Sequence, residues 1–185
     1  MLEWSHQNKV LVAVRTGTGD EVEHTMRVCG ECTACCEGWV TSRHLAMRPG
    51  VPCEHRTDVG CAIYERRPDD PCKQFKCAWL QSTPESLPDE MRPDRAGAIL
   101  YFRAWKQWSR VLNVMPAGRK VPDATLRIAQ EWAAENHMPI VWSERVEDFV
   151  NDDALTRKAM GPSEFMTQVK WDFMPEDIWS PDQSV

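Results

Sequence analysis

Eight cysteines lie between residues 29 and 77, and the rest of this 185-residue chain has none. They are Cys29, Cys32, Cys35, Cys36, Cys53, Cys61, Cys72 and Cys77. Cysteines either form disulfides or supply thiolates that bind metal, and the choice depends on the cellular compartment. The first ten residues carry polar and charged side chains throughout and lack the apolar core of a secretory signal. We therefore expect a reducing, cytoplasmic setting, in which closely spaced thiols most often hold metal.

The first four cysteines follow the spacing C-x2-C-x2-C-C, which is the strongest indication of metal binding. A C-x2-C step lets two thiolates on one tight turn converge on an ion, at a zinc–sulfur distance of about 2.3 Å. Gly30 follows Cys29 and eases such a turn. Bacterial ferredoxins begin with the same spacing but continue x3-C-P, where this chain has Trp39 and Val40. A fourth ligand for the first three cysteines must therefore come from farther along the chain.

Cys35 and Cys36 are adjacent, and on an extended backbone their side chains point in different directions. They are therefore poor partners for one ion. They more naturally serve two ions, or one ion and the groups around it. The alternative is a strained disulfide between these two neighbours.

The order of all eight cysteines, with the residues around them, resembles the CxxCxxCC family of zinc- or iron-chelating cysteine-cluster domains. The segments that carry the resemblance are C29-G-E-C32-T-A-C35-C36, G50-V-P-C53, G60-C61-A-I-Y64, R67-P68-D-D-P-C72 and F75-K-C77-A-W79. The resemblance covers about residues 29–80. It implies that the eight cysteines chelate metal, with zinc and iron both open and an iron–sulfur cluster among the forms of iron.

Some larger proteins with a similar domain are lysine methylases that act on flagellin and are thought to use an iron–sulfur cluster. The resemblance thus implies an alternative function, that of an iron–sulfur protein in a redox or protein-methylation system. That activity does not follow from the cysteines alone. The sequence lacks G-x-S-x-G, H-E-x-x-H, a Walker A motif and a dinucleotide fingerprint. We therefore predict a metal-binding protein without catalytic residues.

Three histidines flank the cysteines and are possible replacement ligands: His24, His44 and His55. With eight thiols present, none of them is needed. Residues 24–80 are also the least acidic part of the chain, with 8 Lys and Arg residues against 7 Asp and Glu residues. Such cations offset the excess negative charge of four thiolates around a divalent ion. The candidates are Arg27, Arg43, Arg66, Arg67, Lys73 and Lys76.

Composition narrows the other classes of function. Hydrophobic residues make up 42% of the chain, charged residues make up 27%, and the net charge is −6. No apolar run is long enough to span a bilayer, and no basic cluster is dense enough for nucleic acid. We expect a soluble protein that binds neither membrane nor nucleic acid. A protein partner is possible, and the oligomeric state stays open.

The sequence predicts an α+β fold, with an irregular cysteine-rich metal-binding module followed by a small β-β-α-β unit. Residues 1–28 form a hairpin, 29–80 the module, 81–96 a linker or packed loop, and 97–185 the C-terminal part with an acidic aromatic tail. Strands at 97–105 and 108–115, a helix at 121–137 and a strand at 139–143 make up the unit. Residues 144–160 include a short helix, and the tail packs along its own domain or docks on a partner.

Within the module we expect helical turns at 41–47, a strand at 61–64, and a helix that carries Cys72, Phe75 and Cys77. An apolar cover over the metal would come from Trp39, Tyr64, Phe75 and Trp79. The module has few apolar residues for its length. We therefore expect it to need metal in order to fold, while residues 97–143 fold without it.

Overall fold

The computed structural model describes residues 9–15, 21–40, 42, 45–47, 51–145 and 155–172. The fold is α+β, as predicted, with a cysteine-rich N-terminal region and a four-stranded mixed sheet with helices. None of the helices in these ranges has the length and apolar character needed to cross a membrane.

A β-hairpin leads into the cysteines. Strands β1 (Lys9–Arg15) and β2 (Glu21–Arg27) pair antiparallel, with Lys9 opposite Arg27. The sequence predicted this hairpin from two β-rich runs separated by turn residues. The turn itself lies outside the described residues. Because β2 ends at Arg27, the hairpin delivers this arginine directly beside Cys29.

Regular structure is sparse in the module, as expected. It consists of 3₁₀ helices at Ala34–Glu37 and Tyr64–Arg66, a small hairpin of β3 (Arg56–Thr57) and β4 (Gly60–Cys61), a helical turn at Asp69–Lys73, and α1 (Ala78–Gln81).

Three local predictions within the module were wrong. The strand at 61–64 ends at Cys61, and a 3₁₀ helix begins at Tyr64. Ser42 and Met47 exchange both backbone hydrogen bonds at 2.9 Å, as an antiparallel bridge rather than a helical turn. The helix expected at Cys72–Cys77 stops at Lys73. Cys77 is extended and starts α1 instead.

Proline explains a kink at the start of that helical turn. Asp70 precedes Pro71 and is extended, with φ −99° and ψ 126°. A residue before proline is pushed out of the helical region, because its backbone clashes with the proline ring. The segment around Cys72 is a single helical turn that lies between extended Asp70 and extended Cys77.

The stretch between the module and the sheet is packed, with a 3₁₀ helix at Asp89–Met91 and α2 at Pro93–Ala96. Leu87 and Met91 are fully buried in it. Gly97 ends α2 with φ +66°, and a Cβ there would lie 2.9 Å from Cγ of Pro122. Glycine is therefore required where the chain turns into the sheet.

The sheet has the order β5-β6-β7-β8 and confirms the predicted β-β-α-β unit. Its elements are β5 (Ala98–Trp105), β6 (Trp108–Pro116), α3 (Asp123–Glu135), β7 (Ile140–Arg145) and β8 (Leu155–Met160), followed by α4 (Ser163–Asp172). Strands β6 and β7 are parallel, and α3 makes the crossover between them. The other neighbours are antiparallel.

The prediction of a short helix within residues 144–160 falls partly on residues 146–154, which lie outside the described residues. Residues 155–160 of that stretch are strand, because β8 finds hydrogen-bonding partners along the whole of β7. Phe165 of α4 is fully buried and packs edge-on against Trp105 and Trp108, each at 5.5 Å. This part of the C-terminal region therefore packs on its own domain. Residues 173–185 of the tail lie outside the described residues.

The two faces of the sheet are covered by different elements. Phe102, Leu112 and Ile140 lie opposite one another across β5, β6 and β7, and the ring of Phe102 is 5.7 Å from Trp132 of α3. Tyr101 lies on the other face, with its ring 5.9 Å from Phe75 of the module. Backbone groups of Cys77 and Tyr101 also form an antiparallel bridge. The module is therefore attached to the sheet at β5.

One hydrophobic core includes both regions. Val40, Met47, Cys53 and Trp79 of the module belong to the same buried cluster as the sheet and α3. The sequence favoured a module that unfolds independently of residues 97–143. A shared core favours cooperative unfolding instead, since removing one side exposes the other.

Tyr101 predicts a pH dependence of stability. Burial raises the pKa of its phenol to about 12, although Arg103 and Arg157 act in the opposite direction. The folded chain therefore favours the neutral phenol, and this stabilisation is complete below about pH 10 and is lost as the pH rises toward about 12. The loss attributable to Tyr101 is on the order of 2–3 kcal/mol.

Urea unfolding of wild type and Tyr101→Phe, at neutral pH and at about pH 11.5, measures this effect. We expect the free energy of unfolding to fall less steeply with pH in the variant, because phenylalanine has no proton to lose. Comparing the two slopes cancels any constant cost of removing the hydroxyl. Parallel pH profiles for the two proteins would contradict the prediction.

Candidate metal centre

The first C-x2-C step forms the tight turn expected of it. The N–H of Cys32 donates to the carbonyl oxygen of Cys29 at 3.0 Å, and Gly30 has φ +55°. The chain then enters the 3₁₀ helix Ala34–Glu37, in which the N–H of Cys36 donates to the Thr33 carbonyl at 2.8 Å. These two turns hold four cysteines close together in sequence and in space.

Cys35 and Cys36 diverge, as the sequence predicted, but for a different reason. They lie in a 3₁₀ helix rather than on an extended backbone. With about three residues per turn, adjacent side chains point roughly a third of a turn apart. Both cysteines are half-buried free thiols, so the alternative of a disulfide between them does not hold.

Cys35 lies in one group of four thiols, Cys29, Cys32, Cys35 and Cys77, which we call the Cys35 set. Burial raises the pKa of Cys35 well above its ordinary value, and the charges of Cys77, Cys32 and Cys29 raise it further, in that order. Burial likewise raises the pKa of Cys77 to about 12, with contributions from Cys29 and Cys32. Cys77 reaches this set because it starts α1, beside β5.

Cys36 lies in the other group, Cys36, Cys53, Cys61 and Cys72, which we call the Cys36 set. The N–H of Cys53 donates to the carbonyl of Cys36 at 2.8 Å. Cys61 follows on β4, where it pairs with Arg56. Burial raises the pKa of Cys36 to about 12, the next contributions come from Cys53, Cys61 and Cys72, and Cys29 of the Cys35 set contributes least. The pKa of Cys72 is raised by burial and then by Cys53 and Cys61.

A cavity of about 220 Å³ connects the two sets. The cysteines that line it are Cys29, Cys32, Cys35, Cys36, Cys61, Cys72 and Cys77. Its apolar walls include Tyr64, Phe75 and Trp79, three of the four aromatics expected to cover the metal. Among the described lining residues there is no Asp, Glu or His, whereas Arg27, Arg67 and Lys76 contribute positive charge.

Arg92 is a second buried arginine near the thiols, and sequence analysis missed it. Its Nε and Nη2 both donate to the carboxylate of Asp94, at 2.7 and 2.6 Å. The charge of Cys32 contributes to raising the pKa of Arg92. The backbone N–H of Asp94 in turn lowers the pKa of Cys32, against the larger effect of burial. No motif marks Arg92, because α2 brings it to Cys32 only through tertiary packing.

All eight cysteines lie in the described part of the chain, and all are free thiols. In that part, however, no three Cys, His, Asp or Glu side chains are arranged to hold a metal ion as they stand. The effects of the thiols on one another's pKa values indicate which of them lie near one another. On this basis the described fold gathers the thiols into two sets.

Of the three flanking histidines, His55 is the one whose side chain is described. His55 is half-buried and lies 3.7 Å from the carboxylate of Glu54, next to it in sequence. It does not line the thiol cavity. The side chain of His24 and all of His44 lie outside the described residues.

A larger cleft of about 500 Å³ lies away from the cysteines, beside the end of α3 and the β5–β6 turn. Its lining includes Ser86, Arg110, Trp132 and His137. No cysteine lines this cleft, so its larger volume is no reason to assign the thiol chemistry to it. No motif indicates this cleft, because three distant segments of the chain assemble it.

The chain shows no significant match to known protein families, to curated proteins or to solved structures. The functional argument therefore depends on the thiols and their surroundings.

The division into two sets predicts which pairs of substitutions share an effect. Cys35→Ser and Cys36→Ser should each remove one of two metal equivalents, with different spectra for the metal that stays. Adding Cys29→Ser to Cys35→Ser should cost nothing more, since both residues belong to one set. Adding Cys72→Ser should remove the second equivalent. Elemental analysis of purified protein and cobalt absorption spectra measure both quantities.

The two double variants are matched, because each carries two serines in place of two thiols. Equal metal loss from Cys29→Ser/Cys35→Ser and Cys35→Ser/Cys72→Ser would contradict the division. So would identical spectra for Cys35→Ser and Cys36→Ser.

Proposed function

We propose that this chain is a metal-binding protein, in which the Cys35 set and the Cys36 set each chelate zinc or iron. The cavity lined by seven thiols and three cations, without a described carboxylate, carries this proposal. Four thiolates around one divalent ion leave a formal excess of two negative charges. Neighbouring cations stabilise such a site, and carboxylates would oppose it.

Burial of the thiols supports the same function. In the metal-free chain the raised pKa values of Cys35, Cys36 and Cys77 keep these thiols neutral near pH 7. A metal ion must displace their protons, because the thiolate is the ligand. Binding also requires the thiols of each set to turn toward a common point; all of them except Cys53 line the cavity.

The resemblance to the CxxCxxCC family agrees with this proposal, since it includes all eight cysteines in order. It leaves the choice between zinc and iron open. The alternative function is an iron–sulfur protein in a redox or protein-methylation system. One observation favours keeping that alternative: a 220 Å³ cavity has more room than two bare ions fill, so bridging sulfides would fit as well.

The proposed setting is the reducing cytoplasm, where free thiols persist. The proposed partners are a metal ion and a protein. We propose neither nucleic acid nor a membrane as a partner. The described elements contribute no catalytic residue to this proposal.

Anaerobic purification followed by metal and sulfide analysis tests the function. We expect about two equivalents of zinc or iron per chain without sulfide for simple thiolate sites, since four cysteines complete one site. Replacing His24, His44 and His55 together with alanine should leave the metal content unchanged. Brown protein with inorganic sulfide would establish the alternative. Protein that binds no metal under reducing conditions would contradict both.

Metal removal tests how the site is coupled to the fold. Structural zinc contributes on the order of 10 kcal/mol in small metal-dependent domains, which is comparable to the total stability of a typical domain. Because one core joins the module and the sheet, chelator treatment should reduce hydrogen-exchange protection in residues 29–77 and 97–143 together. Full protection of 97–143 after metal removal would show that the sheet unit folds independently.

A further inference from the structure

Arg27 is the most deeply buried cation at the thiol cavity. Its side chain has 0% exposure, and it lines the cavity together with Cys29, Cys35 and Cys77. Its guanidinium group lies over the ring of Trp79, 4.5 Å from the ring centre. A buried guanidinium is costly unless its N–H groups have acceptors, so these contacts decide what Arg27 does.

The two terminal nitrogens of Arg27 are occupied. Nη1 donates to the Trp79 carbonyl at 3.0 Å. Nη2 donates to the Leu87 carbonyl at 2.6 Å and to Asp89 Oδ1 at 2.9 Å. Asp89 is 43% exposed, so solvent weakens its pairing with Arg27. These contacts hold the guanidinium at a fixed position beside the thiols.

The remaining nitrogen, Nε, is buried and has no hydrogen-bond partner. Cys77 lines the same cavity as Arg27 and is two residues before Trp79, on which the guanidinium stacks. A thiolate sulfur is an acceptor, whereas a neutral thiol is a weak one. The missing partner of Nε is therefore one that metal binding would create.

The other cations near the thiols do not offer this donor. Nε of Arg92 is already bound to Asp94. Arg67 stacks on Tyr64 with its guanidinium carbon 3.7 Å from the ring centre, and its charge acts on Cys72 of the Cys36 set. Arg27 is therefore distinguished by position, burial and a free donor.

We infer that Arg27 is a positioning residue of the Cys35 set, whose Nε–H donates a hydrogen bond to a metal-bound thiolate of that set, with Cys77 of the same cavity as the expected acceptor. This inference rests on the proposed function, because the acceptor is a thiolate held by metal. Hydrogen bonds to ligand atoms orient the ligands and tune the metal. The same guanidinium contacts Trp79, Leu87 and Asp89, so Arg27 also connects metal occupancy to the packing of β2 against α1.

Cobalt(II) titration of the full-length, metal-free protein tests the inference, with affinity measured by competition against a chelator. Two backgrounds isolate the sets: Cys72→Ser leaves the Cys35 set complete, and Cys29→Ser leaves the Cys36 set complete. In the Cys72→Ser background, Arg27→Gln should weaken cobalt binding about 10–100-fold. In the Cys29→Ser background it should leave the affinity unchanged.

A spectroscopic readout separates the hydrogen bond from general stability. An N–H donor lowers the energy of the sulfur lone pairs, so its loss should shift the thiolate-to-cobalt charge-transfer band to longer wavelength. Arg27→Lys keeps a positive charge but lacks the N–H at the Nε position. If Arg27→Gln fails to fold, we expect Arg27→Lys still to fold because it keeps the charge. Arg27→Lys should show the same band shift as Arg27→Gln and a smaller loss of affinity. Arg67→Gln removes another cation of the same cavity, one that acts on Cys72, and should leave the band of the Cys35 set unshifted.

Three results would overturn the inference. Equal weakening of both backgrounds by Arg27→Gln would show a general structural role. Wild-type affinity and an unshifted band in Arg27→Lys would show that the directed N–H is not used. The same band shift from Arg67→Gln would show that any nearby charge suffices. If the parent protein binds no cobalt, the proposed function itself fails, and the inference falls with it.

Discussion

Burial of Cys77, Ala78 and Trp79 against the sheet is the constraint on which the cysteine region depends. Ala78 is fully buried and Trp79 nearly so, while Cys77 bridges to Tyr101 on β5. This short segment brings a thiol from far along the chain to the turn at Cys29–Cys32. Its Trp79 carbonyl also accepts from Arg27, which holds the end of the N-terminal hairpin in place. Without this contact, the module would have little apolar surface of its own to bury.

Under the proposed function, the same burial makes protons and metal compete for the thiols. Removing thiols from water raises the pKa values of Cys32, Cys35, Cys36, Cys72 and Cys77, which favours their neutral forms in the metal-free chain. A metal ion reverses this preference, because coordination favours the thiolate. Metal affinity should therefore depend strongly on pH. Buried cations stabilise the negative charge that appears when the thiolates form. Arg27 and Arg92 lie where they offset that charge.

A single local feature separates the two thiol sets. The 3₁₀ helix at Ala34–Glu37 directs neighbouring cysteines to different sides. The backbone carbonyl of Cys36 then accepts a hydrogen bond from the N–H of Cys53. Cys77, by contrast, is the thiol that contributes most to raising the pKa of Cys35. The division is thus built into the backbone. It brings together cysteines that are remote in sequence and separates two that are adjacent.

The sequence by itself determined the hairpin, the β-β-α-β unit and the crowding of the thiols. Each of these depends on local periodicity or spacing, as with Gly30 after Cys29 and the helix that became Asp123–Glu135. Only the tertiary structure decided that β8 is a strand, since its partner on β7 supplies the hydrogen bonds. It also decided that Lys106 adopts φ +53° in the β5–β6 turn, because strand pairing outweighs the local preference of that residue. The tertiary structure also brings Cys77, Arg27 and Arg92 to the candidate site, because packing joins segments that are far apart in sequence.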